Sequence, residues 1–213
     1  MLYSYVQHFN LQSKAEYLLA DVQSLVCLPE PLTYIDGAII ACGLGTAYAA
    51  CKRADISGRD RVLVTGLGPV GLGVALVAQC MGAKVFGIEY DAERVMFATT
   101  IGIECVECVK QGDDNGDVKA VMAWAGGLGP DVTIDCSGNE SGRLTCLKAA
   151  RVWGRVVFVG EGGSVSFDVS DVVIHKNLSI YGSWVCSIGE MEELVERLVH
   201  WNLHPEVSKK SYV

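Results

Sequence analysis

The chain has 213 residues, of which half are apolar, and it carries a formal net charge of −8 at neutral pH. This length suits one domain with a short additional arm, and the apolar content is ample for a large core. The negative charge argues against nucleic acid or an anionic membrane surface as a partner. No charged and then apolar leader follows Met1, and the long apolar runs are interrupted by glycine or polar residues. We therefore expect a cytoplasmic protein without a membrane partner.

The chain contains nine cysteines, an odd number, and most of them lie within apolar patterns. This favours reduced, buried thiols over a disulfide framework. Cys105 and Cys108 have the spacing of a zinc or redox pair. They lie along a predicted strand, where they would point to opposite faces, so we interpret them as strand filler.

We divide the chain into an N-terminal arm, residues 1–33, and a main domain, residues 34–213. The arm is predicted to carry a strand, because Met1 to Cys27 contains short alternating pieces and neither glycine nor proline. The main domain is predicted to begin with a helix from Tyr34 to Ala54.

Gly43 and Gly45 weaken the centre of this first helix. A close approach of the backbone to a ligand or a neighbouring segment would explain why glycine stands there.

Residues 61–91 are predicted to form a strand, a glycine turn, a helix and a second strand. The apolar run Val62 to Val64 leads into the sequence Gly66-Leu67-Gly68-Pro69-Val70-Gly71. A helix-length apolar segment follows, and the second apolar run ends at Glu89.

Each glycine of this turn has a separate physical role in dinucleotide binding. Gly66 allows a tight turn, Gly68 has no side chain to keep a pyrophosphate away, and Gly71 lets the helix pack against the sheet. Pro69 and Val70 open the helix, whose first N–H groups lack partners and attract an anion.

Glu89 stands about 20 residues beyond the glycines, where a carboxylate can accept hydrogen bonds from the ribose hydroxyls. A 2′-phosphate would meet like charge there. The sequence therefore predicts NAD rather than NADP as the cofactor.

The rest of the chain repeats the alternation of helices and strands. This order predicts an α/β fold with a doubly wound, six-stranded parallel sheet covered on both faces. The predicted elements are helix Asp91–Ile101, strand Glu104–Val109, helix Asp117–Ala125, strand Asp131–Cys136, helix Glu140–Ala150, strand Arg155–Val159, extended segment Leu178–Trp184 and helix Met191–Trp201.

Ligands of such sheets lie at the carboxyl ends of the strands. This position makes Ser137, Gly160 and Tyr181 further candidates for cofactor contact. A plain loop is an equally good interpretation of these three, because only their place on the sheet supports them.

Several stretches in order resemble the zinc-type medium-chain alcohol dehydrogenase family. They are AEYLLA, LPEPLTYIDGAIIACGLGTAY, RVLVTGLGPVGLG, GPDVTIDCSG, GRVVFVG and LSIYGSW. The resemblance implies a Rossmann fold that binds NAD. It also implies hydride transfer from an alcohol whose hydroxyl is acidified by Zn²⁺, held by two cysteines and a histidine.

Individual residues take expected roles from the same resemblance. Cys42 falls at the family's third zinc ligand, and Thr46, four residues later, would lie near the nicotinamide as a catalytic residue. Glu89 resembles the ligand of the adenosine ribose, and Arg94 resembles the basic residue that flanks it.

The family's N-terminal catalytic domain, of roughly a hundred residues, has no counterpart before these motifs. That domain supplies the other zinc ligands, and a catalytic zinc needs three protein ligands. We therefore expect the chain to be a cofactor-binding half that binds NAD(H) with zinc absent and without alcohol dehydrogenase activity.

Two other functions fit the same residues. The chain could be a separate NAD(H)-binding or redox-sensing module without catalysis. It could also serve mainly in assembly, since the resemblance implies a homodimer in which Leu178–Trp184 pairs with its copy and covers an apolar edge.

Two further features, a Tyr/Lys pair and two histidines, are interpreted without a catalytic role. Tyr48 and Lys52 match the YxxxK pair of short-chain dehydrogenases, but they precede the glycine turn instead of following it. His175 and His204 have no carboxylate at a recognisable spacing and are interpreted as surface histidines.

Overall fold

The computed structural model describes residues 19–108 and 114–205. Its six parallel strands form one sheet in the order β3-β2-β1-β4-β5-β6, which is the predicted doubly wound topology. The strands are β1 (Arg61–Thr65), β2 (Lys84–Glu89), β3 (Glu104–Glu107), β4 (Val132–Asp135), β5 (Arg155–Phe158) and β6 (Ser179–Gly182). The helices are α1 (Tyr34–Arg53), α2 (Pro69–Cys80), α3 (Ala92–Thr100), α4 (Asp114–Trp124), α5 (Glu140–Ala149) and α6 (Ile188–Trp201).

Two apolar clusters cover the two faces of the sheet, as the alternation of side chains along a strand requires. In β1, Val62 and Val64 belong to one cluster and Leu63 belongs to the other. Residues of α1, α2, α3 and α6 complete the first cluster, and residues of α4 and α5 complete the second. Strand order reverses between β1 and β4, so the carboxyl ends of these central strands form the crevice where doubly wound sheets bind ligands.

Cys105 and Cys108 pack against different clusters, which confirms that they do not form a pair. All nine cysteines are free thiols. Cys27 and Cys42 are exposed, so the expectation of buried thiols is wrong for these two.

The predicted first helix is confirmed as α1, a continuous helix with a widened π-helical turn at Ile40–Leu44. A Cβ on Gly45 would lie only 2.5 Å from Cys186 Sγ, so a close approach does explain this glycine. A Cβ on Gly43 would have no atom within 4 Å, so a close approach does not explain this second glycine. By length and composition α1 could cross a membrane, but more than half of it is buried, as in the core helix of a soluble protein.

The predicted strand-bearing arm lies mainly in residues 1–18, outside the described part of the chain. The described remainder of the arm contains a 3-10 turn at Val22–Ser24. Val109, at the end of one predicted strand, and residues 206–213 of the main domain also lie outside the described residues. A helical turn at Ser170–Ile174, which the sequence analysis did not predict, leads into β6.

Candidate functional site

The glycine turn between β1 and α2 is packed closely on two sides and open on the third. A Cβ on Gly66 would lie 2.8 Å from the Ser137 backbone, and Gly66 has a φ of +81°. A Cβ on Gly71 would lie 1.8 Å from the carbonyl oxygen of Gly66. A Cβ on Gly68 would have Arg94 Nη1, 3.9 Å away, as its nearest neighbour. The turn therefore leaves room for a ligand beside Gly68.

Helix α2 begins without a side chain to satisfy its first N–H groups. Its N-cap is Gly68, which makes no side-chain hydrogen bond, and Pro69 follows as the first helical residue. Four other described helix starts are capped by side chains, namely those of Thr33, Asp91, Asn139 and Ser187. No capping side chain satisfies the amides of Val70 and Gly71, which lie at the positive end of the helix dipole.

Glu89 lies at the end of β2 and its carboxylate contacts this turn. The N–H of Leu67 donates to Glu89 Oε2 at 2.7 Å, while those of Tyr90 and Asp91 donate to Oε1 at 2.8 and 3.2 Å. A carboxylate has about four acceptor positions, so these bonds leave one, on Oε2. The side chain is 1% exposed.

Arg94, near the start of α3, lies across the mouth of the turn. Its Nη1 atom is 3.7 Å from Glu89 Oε2 and close to Gly68. The structure thus brings together the five residues that the sequence analysis placed around the phosphates and the adenosine ribose: Gly66, Gly68, Gly71, Glu89 and Arg94. Their role in binding stays a prediction.

Ser137 and Gly160 hold the loops after β4 and β5 against each other and against the turn. Ser137 contacts Gly66, as described, and a Cβ on Gly160 would lie 2.1 Å from the backbone nitrogen of Gly138. These close contacts are between backbone atoms of neighbouring loops, so the fold itself requires glycine at positions 66 and 160.

Asp135, the last residue of β4, organises this edge, and the sequence analysis did not single it out. Thr65 Oγ1 donates to Asp135 Oδ1 at 2.9 Å, and Ser137 donates to the same oxygen through its N–H at 3.1 Å and its hydroxyl at 2.5 Å. The carboxylate is fully buried. It therefore links the carboxyl ends of β1 and β4 directly beneath the crevice.

Arg143, in α5, is the buried cation that balances Asp135, with its Nε atom 3.4 Å from Asp135 Oδ2. Its Nη2 atom donates to the carbonyl oxygens of Gly160 at 2.8 Å and Gly162 at 2.5 Å. Asp and Arg eight residues apart, on a strand and a helix, gave no recognisable signal in the sequence.

Tyr181 lies within β6 and not beyond its end. It pairs with Val157 and packs against the first core cluster. Of the three candidates chosen by position on the sheet, Tyr181 is the one whose surroundings are mainly core.

Cys42 and Thr46 lie on one segment of α1 that crosses α2 close to its first turns. A Cβ on Gly73 would lie 3.0 Å from Ala47 Cβ and 3.3 Å from a methyl group of Leu44. Cys42 is exposed and Thr46 is nearly buried. Within residues 19–108 and 114–205, no three His, Cys, Asp or Glu side chains come together as a metal site would need. These residues do not fit a complete catalytic zinc centre.

The two histidines differ from the expectation because each has a carboxylate nearby. His204 Nδ1 is 2.9 Å from Asp36 Oδ2, and His175 Nδ1 is 3.5 Å from Asp171. The Asp36 contact spans 168 residues, which is why no local spacing revealed it. Tyr48 is buried, in line with the interpretation of its YxxxK match as chance.

Comparison with known families resolves which kind of protein carries this site. Residues 69–200 match the family model described as zinc-binding dehydrogenase, which is more than half of the chain. The chain belongs to the zinc-binding dehydrogenase family. The resemblance found in the sequence is thereby confirmed.

Relatives within this family show which part of a dehydrogenase the chain matches. YphC of Escherichia coli (strain K12), an uncharacterised zinc-type alcohol dehydrogenase-like protein, is 42% identical over 192 residues, covering 90% of this chain and 54% of YphC. Sorbitol dehydrogenase of Rattus norvegicus is 36% identical over 136 residues, covering 63% of this chain and 38% of that enzyme. The crystal structure of AibC superposes with a TM-score of 0.77 at 28% identity, covering 86% of this chain and 51% of AibC. The chain spans about half the length of its relatives or less.

Proposed function

We propose that the chain is the NAD(H)-binding half of a zinc-type dehydrogenase that acts on an alcohol or polyol. The observation that carries this proposal is the start of α2, where Gly68 leaves both open space and uncapped amides. A pyrophosphate beside Gly68 would accept hydrogen bonds from the amides of Val70 and Gly71 and complete the helix terminus.

Glu89 is proposed to recognise the adenosine ribose. The three backbone N–H groups leave one acceptor position on Oε2, and a ribose hydroxyl would donate to it. A 2′-phosphate would meet the Glu89 charge at short range, although Arg94 beside it offsets part of the repulsion. We therefore expect NADH to bind more tightly than NADPH.

When bound, NAD supplies the acceptor for a hydride from the substrate carbon. This chain's contribution is to hold the dinucleotide along the carboxyl edge of the sheet, with Thr46 on the α1 segment that crosses α2. Cys42 would supply one ligand to a zinc ion, and two others would have to come from outside the described residues. We propose that the 213-residue chain by itself does not oxidise alcohols.

Titration calorimetry with NADH and NADPH tests the cofactor proposal. The unaltered chain should bind NADH more tightly, and Glu89→Gln should lose most of that preference. Glu93→Gln, which neutralises an exposed carboxylate nearby on α3, is the matched control and should keep it. Equal affinity of the unaltered chain for both cofactors would refute the ribose assignment, and zinc-dependent alcohol turnover by the pure chain would refute the proposed inactivity.

A second candidate function, a separate NAD(H)-binding or redox-sensing module, is favoured by the completeness of the sheet. All six strands and the glycine turn lie within this chain, which supports binding of the dinucleotide by this unit on its own. Restored turnover on adding a separate chain that carries the other zinc ligands would favour the dehydrogenase half, and no effect would favour the module.

We also propose a homodimer through β6, which lies at the edge of the sheet. Three of its four residues are exposed, including Ile180 at 38%. An exposed edge strand offers unpaired backbone groups to a second copy. The free thiols and the acidic charge are consistent with a cytoplasmic location.

A further inference from the structure

Glu161 lies in the loop after β5, and its backbone is held on both sides. Arg143 Nη2 donates to the carbonyl oxygens of Gly160 and Gly162, the residues before and after it, at 2.8 and 2.5 Å. The carbonyl oxygen of Glu161 itself lies only 2.1 Å from the position that a Cβ on Gly138 would occupy. The Glu161 side chain is exposed. The loop therefore holds an exposed carboxylate at a fixed point of the carboxyl edge of the sheet.

Trp184, in the segment after β6, binds this carboxylate from the neighbouring strand end. Its Nε1 atom donates to Glu161 Oε1 at 2.5 Å. The N–H of Ser183 donates to the carbonyl oxygen of Phe158 at 3.0 Å, so the pairing of β5 and β6 continues to the residue before Trp184. Within residues 19–108 and 114–205, Glu161 forms no ion pair that would neutralise its charge.

Val185, the next residue, has an unusual backbone conformation. Its φ is +54°, in a region that β-branched residues rarely adopt. Such conformations persist only where the surrounding structure imposes them, and they are concentrated at functional sites. The strained position directly follows the residue that holds the Glu161 carboxylate, which points to this end of the sheet as part of a binding site.

The proposed path of the cofactor places its nicotinamide end beside these residues. A doubly wound sheet has two halves, and a dinucleotide lies across the crevice between them. The adenosine ribose and the pyrophosphate are assigned to Glu89 and Gly68, in the half that contains β1, β2 and β3. The nicotinamide nucleotide then lies over the half that contains β4, β5 and β6. Glu161 and Trp184 follow the last two strands of that half.

We propose that Glu161 makes this site prefer the oxidised cofactor. The nicotinamide ring of NAD⁺ carries a positive charge and that of NADH carries none, while the remainder of the two molecules is the same. A carboxylate beside the ring therefore attracts the oxidised form more strongly. Trp184 acts as a positioning residue, because its N–H group holds the carboxylate in place.

This inference rests on the proposed function and extends it to the redox form of the cofactor. NADH is the product when an alcohol is oxidised. A site that attracts the charged ring releases NADH more readily than it releases NAD⁺, so Glu161 would favour the exchange of product for fresh cofactor.

Titration calorimetry of the full chain with NAD⁺, NADH and ADP-ribose tests the proposal. ADP-ribose lacks the nicotinamide ring and reports on the rest of the site. We expect Glu161→Gln to lower the affinity for NAD⁺ relative to that for NADH by about three- to tenfold. The affinity for ADP-ribose should stay in proportion to that for NADH. Glu192→Gln neutralises an exposed carboxylate on α6, outside these loops, and should leave both ratios unchanged.

Trp184→Phe tests the positioning role, because it keeps an aromatic ring and removes the Nε1 donor. The ratio of the two affinities should move in the same direction as in Glu161→Gln and by a smaller amount, since the charge remains but is no longer held.

The proposal is overturned if Glu161→Gln keeps the ratio of the unaltered chain. It is also overturned if the variant loses affinity equally for NAD⁺, NADH and ADP-ribose, which would assign Glu161 to the fold. A different result, an unaltered chain that binds none of the three ligands, would refute the proposed cofactor function and this inference with it.

Discussion

Asp135 and Arg143 form an ion pair beneath the carboxyl edge of the sheet, with side chains 0% and 11% exposed. The pair joins β4 to α5, and through the carbonyl groups of Gly160 and Gly162 it fixes the loop after β5. The floor of the proposed cofactor crevice therefore depends on a buried charge pair and not on apolar packing alone.

Removal of the cation should destabilise the chain strongly. Breaking a buried ion pair leaves an uncompensated charge and costs about 3–5 kcal/mol. We expect Arg143→Met to lose this much free energy of unfolding in urea denaturation followed by circular dichroism. Arg151→Met is the control, because its partner Asp131 and Arg151 itself are 20% and 39% exposed, and such pairs contribute about 1 kcal/mol or less. Equal losses in the two variants would contradict this account.

Two glycines of the turn should respond differently to alanine. Gly68→Ala adds a methyl group into open space at an ordinary φ of −69°. We expect unchanged thermal stability and at least tenfold weaker NADH binding, because the methyl group occupies the space proposed for the pyrophosphate.

Gly71→Ala, in contrast, should damage the fold. Its Cβ would lie 1.8 Å from the Gly66 carbonyl oxygen, and overpacking of this kind costs about 3 kcal/mol or more. A Gly68→Ala variant that melts as early as Gly71→Ala would show that the turn has no open side.

Asp36 should make stability depend on acid pH. Burial works to raise its pKa, but hydrogen bonds from His204 and Thr33 outweigh burial and lower the pKa below the usual 3.8. A lowered pKa in the folded state stabilises the fold above the unfolded pKa, and this stabilisation is lost as pH falls through the folded value.

We therefore expect Asp36→Asn to cost about 1–2 kcal/mol at pH 7, similar to the loss of a helix cap. The difference from the unaltered chain should shrink below about pH 4. Chemical denaturation at several pH values measures it, and a difference that is constant down to pH 2 would argue against the carboxylate's role.

The proposed dimer should depend on the surface of β6. Ile180→Lys places a charge on the exposed edge strand, and we expect it to shift the dimer toward monomer in analytical ultracentrifugation. Ile174→Lys is the matched control, since Ile174 is 59% exposed on the turn before β6. A monomeric unaltered chain at high concentration would exclude the dimer.

The sequence predicted those parts of the fold that local patterns determine. The six strands, the four crossover helices α2 to α5, and the helices α1 and α6 follow from apolar periodicity and glycine positions. The cluster of Gly68, Glu89 and Arg94 follows from one strand-turn-helix-strand unit. The ends of the elements differ from the prediction by a few residues, because side-chain caps such as Ser187 set them.

Contacts between distant segments could not be predicted from the same patterns. Asp135 and Arg143 meet because α5 packs back onto β4, and Cys186 reaches Gly45 because the loop after β6 turns toward α1. The hydrogen bonds of the Glu89 carboxylate to the turn could not be predicted either, because they depend on the positions of backbone N–H groups such as that of Leu67 in the folded turn.

The contact between His204 and Asp36 places the first helix of the described α/β domain next to the segment that follows its last helix. A short peptide could therefore connect these two positions, and new termini could be opened in a surface loop elsewhere without disturbing the order of the sheet. Such circular permutation should be tolerated. The same closeness means that a neighbouring domain can be attached at either position through a single hinge region.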